Sequence, residues 1–275
     1  MTETQRRWQR FRKNRLALAS LVLLLLIHVL ALLAPLLAPH SPEKINLLQR
    51  FAPMTASHLL GTDENGRDVL SRVMHGGRIS LGVGFVAVLA AMTMGTVLGG
   101  LAGYFGGTLD ALIMRIADGM LAIPLFFFVL TALAVLGSSL PNLIAAMALT
   151  SWMAVARVVR GEVLSCKTLE YVDAAHAVGA SHVRILWGHI LPQAVPAVIV
   201  AATLGVAYAI LTESALSYLG LGVHPPTPSW GNMLSGARSY LWTAPHLAMF
   251  PGLLILLTVL AYNSLGDGLR DALSS

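Results

Sequence analysis

Few residues of this chain are equipped for chemistry, and where they sit narrows what that chemistry can be. The densest run is Glu170-Tyr171-Val172-Asp173-Ala174-Ala175-His176-Ala177-Val178-Gly179, continuing to His189-Ile190-Leu191-Pro192. It is polar, yet it lies between two long apolar stretches. Paired alanines let another surface come close. Gly179 can take φ > 0 and turn the chain between two short helices, and Pro192 suits the first turn of a following helix. This combination describes a docking element rather than a plain loop. Further on, Glu213 stands in Leu211-Thr212-Glu213-Ser214-Ala215, inside an apolar run. An acid there serves either a function or a hydrogen-bond anchor between helices, and no basic residue is near it in sequence. Arg115 and Asp118 could pair on one helix face.

Catalysis is not expected. A phosphate-cradling loop needs Gly-Lys-Ser/Thr, whereas the three lysines, Lys13, Lys44 and Lys167, do not follow glycine. Any ATP chemistry must therefore lie on another chain, and no cofactor is expected on this one. Cys166 is the single cysteine, which rules out an internal disulfide. His176, His182 and His189 fall at intervals of six and seven, not the i, i+4 spacing of a helical metal site. No metal site is expected, and the 11 methionines are read as packing.

The elements that hold these residues are membrane spans. Hydrophobic residues make up 56% of the 275 and charged ones 11%, against about 25% charged in soluble domains. The fold class is an all-α integral membrane protein with lipid, not nucleic acid, as its surroundings. About 20 apolar residues cross a bilayer as a helix. That rule gives six spans, at about 16–36, 79–103, 112–137, 141–160, 192–221 and 246–266. The basic start (Arg6, Arg7, Arg10, Arg12, Lys13, Arg15) and the long apolar run after it favour an uncleaved first span over a signal peptide. With both termini in the cytoplasm, twelve Lys and Arg face inward and six outward, as the positive-inside rule requires. Segment 170–189 then faces the cytoplasm.

Three further readings concern packing and loops. Ala87, Ala91, Gly95, Gly99, Gly103 and Gly107 recur every four residues in the second span, a ridge that admits a second helix closely. In the outer loop, Asn65-Gly66 marks a turn, and Val69, Leu70 and Val73 suggest a short amphipathic helix at the membrane surface. Trp230 and Trp242 fit an aromatic belt at the outer interface.

The segment from Asp173 to Pro192 resembles the signature Glu-Ala-Ala, three residues, Gly, nine residues, Ile-x-Leu-Pro of ABC importer membrane subunits, with Asp173 in place of Glu and His189 in place of Ile. Leu60-Gly61-Thr62-Asp63-Glu64-Asn65-Gly66-Arg67-Asp68-Val69-Leu70-Ser71-Arg72, Gly103-Tyr104-Phe105-Gly106-Gly107, Leu219-Gly220-Leu221-Gly222, Trp230-Gly231 and Asn263-Ser264-Leu265-Gly266-Asp267-Gly268-Leu269-Arg270-Asp271 extend the likeness over nearly the whole chain. The chain resembles the C-type permease subunit of dipeptide/oligopeptide/nickel importers. The resemblance implies a type I permease fold. Residues 1–78 would form the cytoplasmic tail, first span and outer loop, and residues 79–275 a five-helix core with a coupling segment at about 165–192. It implies coupling to ATPases through Glu170, Tyr171, Asp173, Ala174, Ala175, Gly179, Ala180 and Arg184, with helix packing at Gly95, Gly99 and Gly103. Its partners would be a sibling permease in a heterodimer, two ATPase subunits and a periplasmic or lipid-anchored binding protein, in the bacterial inner membrane. Cargo would be peptides, glutathione-like compounds, nickel or metal chelates. An ion- or proton-coupled secondary transporter is the alternative, with Asp118 and Glu213 as pathway or gating residues, and an assembly factor without a pathway is a third reading. The purified chain, free of partners, is expected to show no ATP turnover in a phosphate-release assay, and steady turnover would refute the permease reading.

Overall fold

A computed structural model describes residues 3–273 of the protein, with side chains from residue 8 onward, so the side chains of Arg6 and Arg7 lie outside the described residues. The chain runs through α1 (Glu3–Lys13), α2 (Arg15–Leu32), α3 (Ala34–Leu37), α4 (Val69–Phe105), α5 (Gly107–Leu121), α6 (Leu125–Leu136), α7 (Leu140–Cys166), α8 (Glu170–Ala177), α9 (His182–Ile185), α10 (Leu191–Tyr218), α11 (Trp230–Ala237) and α12 (His246–Leu273). The described residues form no strand, apart from one isolated antiparallel bridge between Thr62 and Asp68. Among the described residues, five helices are long and apolar enough to cross a bilayer, and a sixth candidate is the pair α5 and α6. Large apolar side chains such as Val22, Leu25, Phe85 and Leu89 are exposed, as expected of surfaces that meet lipid or other subunits.

Packing defines two ends. At one, Phe11 and Ala17 pack with Leu265 and Ala272, so the two ends of the described residues lie together. The C-terminal end of α4 and the α8–α9 segment are at this same end, where Leu191 of α10 covers Gly100. At the other end, residues 38–68, the 219–229 loop and α11 meet the start of α4, and Val69 and Val73 pack with Met233 and Leu247.

The tightest contact is between α4 and α7. A Cβ on Gly95 would lie 2.7 Å from the Trp152 carbonyl oxygen, one on Gly103 would lie 2.9 Å from Val163 Cβ, and one on Gly99 would run into the Ala156 backbone. The small-residue ridge therefore packs within this chain, against α7. Gly107 falls outside it, because α4 ends at Phe105 and Gly107 opens α5.

Three expectations are corrected. No separate surface helix exists at 67–73. Asp68 caps α4 by accepting from the Ser71 N–H, and nothing breaks the helix between there and Phe105, so the amphipathic turns are its first turns. Span three is not straight: α5 and α6 bend by 85°, because Pro124 lacks an N–H and pushes Ile123 out of helical conformation. Trp230 is not part of an interfacial belt. It is 1% exposed, its indole N–H donates to the Val73 carbonyl at 3.0 Å, and Gly77 makes room for its ring. Trp242 is almost fully exposed.

Gly99→Leu is expected to lower the thermal midpoint and the yield of purified protein, since overpacking costs about 1–3 kcal/mol. Gly82→Leu is the control, because a Cβ there meets nothing within 4 Å. Equal midpoints for both variants in a melting assay would contradict the close contact.

Candidate functional site

The docking segment is a helical hairpin. Helix α8 ends in a turn that closes its last carbonyls: the Ala180 N–H donates to Ala175 at 3.0 Å and the Gly179 N–H to His176 at 2.9 Å. This turn needs a left-handed residue after the helix, and Gly179 supplies it with φ of +80°. Ser181 then caps α9. A π-helical turn, Leu186–Ile190, leads into α10, whose first turn holds Pro192. Val172 and Ile185 are buried among Val155, Val159, Val163 and Leu186, which pins the hairpin to α7 and α10.

That anchoring decides which side chains face out. Glu170, Tyr171, Asp173, Ala174, Gly179 and Arg184 are exposed, along with Val178 and Val183. Ala175 and Ala180 are half-buried and pack toward the apolar cluster. Desolvation pushes the Tyr171 phenol above its ordinary value, and the neighbouring Cys166 thiol adds to this, so its hydroxyl keeps its proton at neutral pH.

Asp118 does not pair with Arg115. It meets Arg157 of α7 instead, while Asp110 takes a two-pronged contact from Arg160 at 2.6 Å for each bond. Both pairs tie α5 to α7 near the termini end. Their aspartates and arginines are about 40 to 50 residues apart in sequence, a separation that hides them from a reading by local spacing.

Glu213 is fully buried at the opposite end. Ser80 Oγ donates to its Oε2 at 2.8 Å and Ser217 Oγ to its Oε1 at 2.7 Å. Each serine oxygen also accepts from a backbone N–H: Ser80 from Trp230 at 3.2 Å, Ser217 from Val223 at 2.9 Å. A hydroxyl has one proton to give, and both spend it on the carboxylate. Because Trp230 opens α11, the positive end of that helix supports the acid through Ser80. Glu213 thereby joins α4, α10, α11 and the 219–229 loop. No arginine or lysine takes part in these bonds; serine hydroxyls partner the acid in place of a base.

Beside this node lies a cleft of about 250 Å³, lined by Asp63, Glu64 and Arg67 of the 38–68 loop, by Arg72 of α4, and by Ser217, Asn232 and Met233. Arg67 Nε donates to Asp63 at 2.7 Å and its Nη2 to Glu64 at 2.9 Å. Nearby, His40, His58 and Asp68 hold potential metal ligands within 4.8 Å of one another. Several of their atoms are already hydrogen-bonded within the chain. Asp68 receives His58 Nδ1 at 2.9 Å and the Ser71 N–H and hydroxyl, while His40 Nε2 meets the Ser57 carbonyl at 2.8 Å. The group is a knot that shapes the loop around the α4 cap.

Residues 95–275 match the family described as binding-protein-dependent transport system inner membrane component. The chain belongs to that family. Residues 2–53 match the N-terminal TM domain of oligopeptide transport permease C. Among similar proteins are the dipeptide transport system permease protein DppC of Alkalihalophilus pseudofirmus, 43% identical over 97% of this chain and 88% of the relative, and the glutathione transport system permease protein GsiD of Pectobacterium atrosepticum, 44% identical over 97% and 89%. DppC of Haemophilus influenzae is 41% identical over 99% and 94%. This permease is thus an inner-membrane component of a bacterial ABC importer, a transporter part rather than an enzyme, and its family works with other permease, ATPase and substrate-binding subunits.

Within this permease, Glu213→Ala is expected to lower the thermal midpoint more than Ser80→Ala. The first leaves two buried hydroxyls without their acceptor, at about 1–3 kcal/mol, or several degrees at about 2–4 °C per kcal/mol. An unchanged midpoint with lost uptake would instead mark Glu213 as a pathway group.

Proposed function

We propose that this permease forms half of the translocation pathway of an importer for di- or oligopeptide-class cargo, glutathione-like compounds included, beside a sibling permease in a heterodimer. Two ATPase subunits, carrying all the ATP and magnesium, dock on residues 170–189. A periplasmic or lipid-anchored binding protein delivers cargo at the opposite end. Cargo of the peptide class is favoured over nickel or a metal chelate by the names of the relatives at 41–44% identity.

The observation that carries the coupling role is the hairpin's exposed face. An acidic first turn with Glu170 and Asp173, the small Ala174 and the apolar Val178 and Val183 point away from the bundle while Val172 and Ile185 hold it in place. An apolar, small-residue surface rimmed by charge suits a protein partner. ATP binding favours one packing of the partners over another, and cargo release follows from the different affinities of the two states. As part of this reading we propose that residues 1–78 flank a core of residues 79–275, with α4 crossing the boundary between them.

In the membrane we place six spans, with α5 and α6 together as the third. Both termini and the hairpin are on one end of the bundle, and the excess of basic residues puts that end in the cytoplasm. Ala177→Cys, at an exposed position of the hairpin, is expected to react with a membrane-impermeant thiol reagent only in inverted vesicles, and Ser57→Cys only in intact cells or spheroplasts. Cys166 is buried and serves as the silent background. Reaction of both sites from one side would overturn this topology.

Gly179→Val tests the coupling role. A β-branched residue forced to positive φ costs about 1–3 kcal/mol, and the strain redirects α8. The variant is expected to insert normally, yet to lose cargo-stimulated ATP hydrolysis and uptake in reconstituted complexes. Ala174→Glu should do the same by adding bulk and charge to the outward face. Wild-type transport by both variants would remove the docking role.

A further inference from the structure

The hairpin is tied not only to α7 and α10 but to the tip of α4. The Tyr104 hydroxyl and His182 Nδ1 are 2.8 Å apart, and their rings meet edge to face at 5.7 Å. The His182 ring also meets His176 of α8 at 5.7 Å and Phe105 at 6.2 Å. Lys167 Nζ donates to the Gly103 carbonyl at 3.1 Å, filling one of the acceptors left open where α4 ends. From there α4 runs 37 residues without a proline, about 55 Å at the α-helical rise. Its far end carries Arg72, which lines the outer cleft, and Ser80, which holds Glu213 and the first N–H of α11.

We propose that Tyr104 and His182 are positioning residues of the transport cycle: their bond hands the movement of the hairpin to α4, which shifts the outer cleft as one rod. The proposal rests on the reading that residues 170–189 dock the ATPases. Apolar contacts of Val172 and Ile185 set which face of the hairpin is outward, but such contacts are non-directional and resist a small rotation less than a separation. A hydroxyl–imidazole bond is directional. It fixes how the hairpin is turned relative to α4, an angle that the apolar cluster holds less sharply. Its loss leaves the fold standing and lets the hairpin pivot without moving the rod.

The test uses the full complex in proteoliposomes, with partner ATPases and binding protein, a dipeptide as cargo, and Tyr104→Phe, His182→Ala, His182→Asn and the Tyr104→Phe/His182→Ala double variant. Tyr104→Phe and His182→Ala should each move about three- to tenfold less cargo per ATP hydrolysed, the scale of one hydrogen bond, with thermal midpoint and apparent KM for cargo unchanged. His182→Asn, whose amide places a polar atom near the Nδ1 position, should recover most of the loss. The double variant should be no worse than either single one. Wild-type coupling in Tyr104→Phe would overturn the proposal. So would a loss that tracks a lowered midpoint, losses that multiply in the double variant, or an asparagine that behaves like alanine. Absence of ATP-dependent uptake by the wild-type complex would instead sink the docking reading itself, and this proposal with it.

Discussion

The backbones of α4 and α7 run so close that a methyl group on Gly99 would strike Ala156, and the rest of the bundle is arranged around that contact. In lipid, helices gain nothing from hiding apolar surface from one another, so association depends on close backbone approach and on polar contacts. Gly95, Gly99 and Gly103 supply the approach along about two turns of α4. Once α4 and α7 are fixed as a unit, α5 can be held by Arg157 and Arg160, and α10 can seat Leu191 on Gly100. The hairpin inherits its position from the same unit, because Val155, Val159 and Val163 of α7 form the floor on which Val172 and Ile185 rest.

Polar groups are placed with the same economy. A buried acid costs much unless hydrogen bonds meet it, and Glu213 is met by hydroxyls whose own oxygens are engaged by backbone N–H groups. The network converts one carboxylate into a joint between three helices and a loop. Asp68 performs a similar task at the start of α4, capping the helix with one oxygen and orienting His58 with the other. Both joints are at the end away from the hairpin. The end away from the hairpin is thus stiffened by buried polar groups, while the hairpin end, tied by ion pairs between α5 and α7, presents a small, partly apolar surface held from beneath.

A helix 37 residues long exceeds what a bilayer requires, since about 20 residues span the hydrocarbon core. Its two ends meet the hairpin and the 38–68 loop. An uninterrupted helix joins these two regions more stiffly than a chain broken by loops. The bent pair α5 and α6 shows the contrast, because Pro124 there divides a stretch of comparable apolar character.

Much of this was legible in the sequence, and for definite reasons. Hydropathy set the helical class and the approximate spans, because a backbone in lipid must satisfy its own hydrogen bonds within each segment. The turn at Gly179 and the spacing from Asp173 to Pro192 are local properties, written in residue type and order. The four-residue interval from Gly95 to Gly103 announced close packing, but not its partner. Tertiary structure alone decided that the partner is α7, that Asp118 meets Arg157 rather than Arg115, and that Trp230 is core rather than interface. It also turned Ala175 inward and surrounded Glu213 with Ser80 and Ser217. Ser80 is 133 positions from Glu213 and Tyr104 is 78 from His182. Sequence periodicity reports the face a residue takes on its own helix, whereas which faces meet depends on how several helices pack at once.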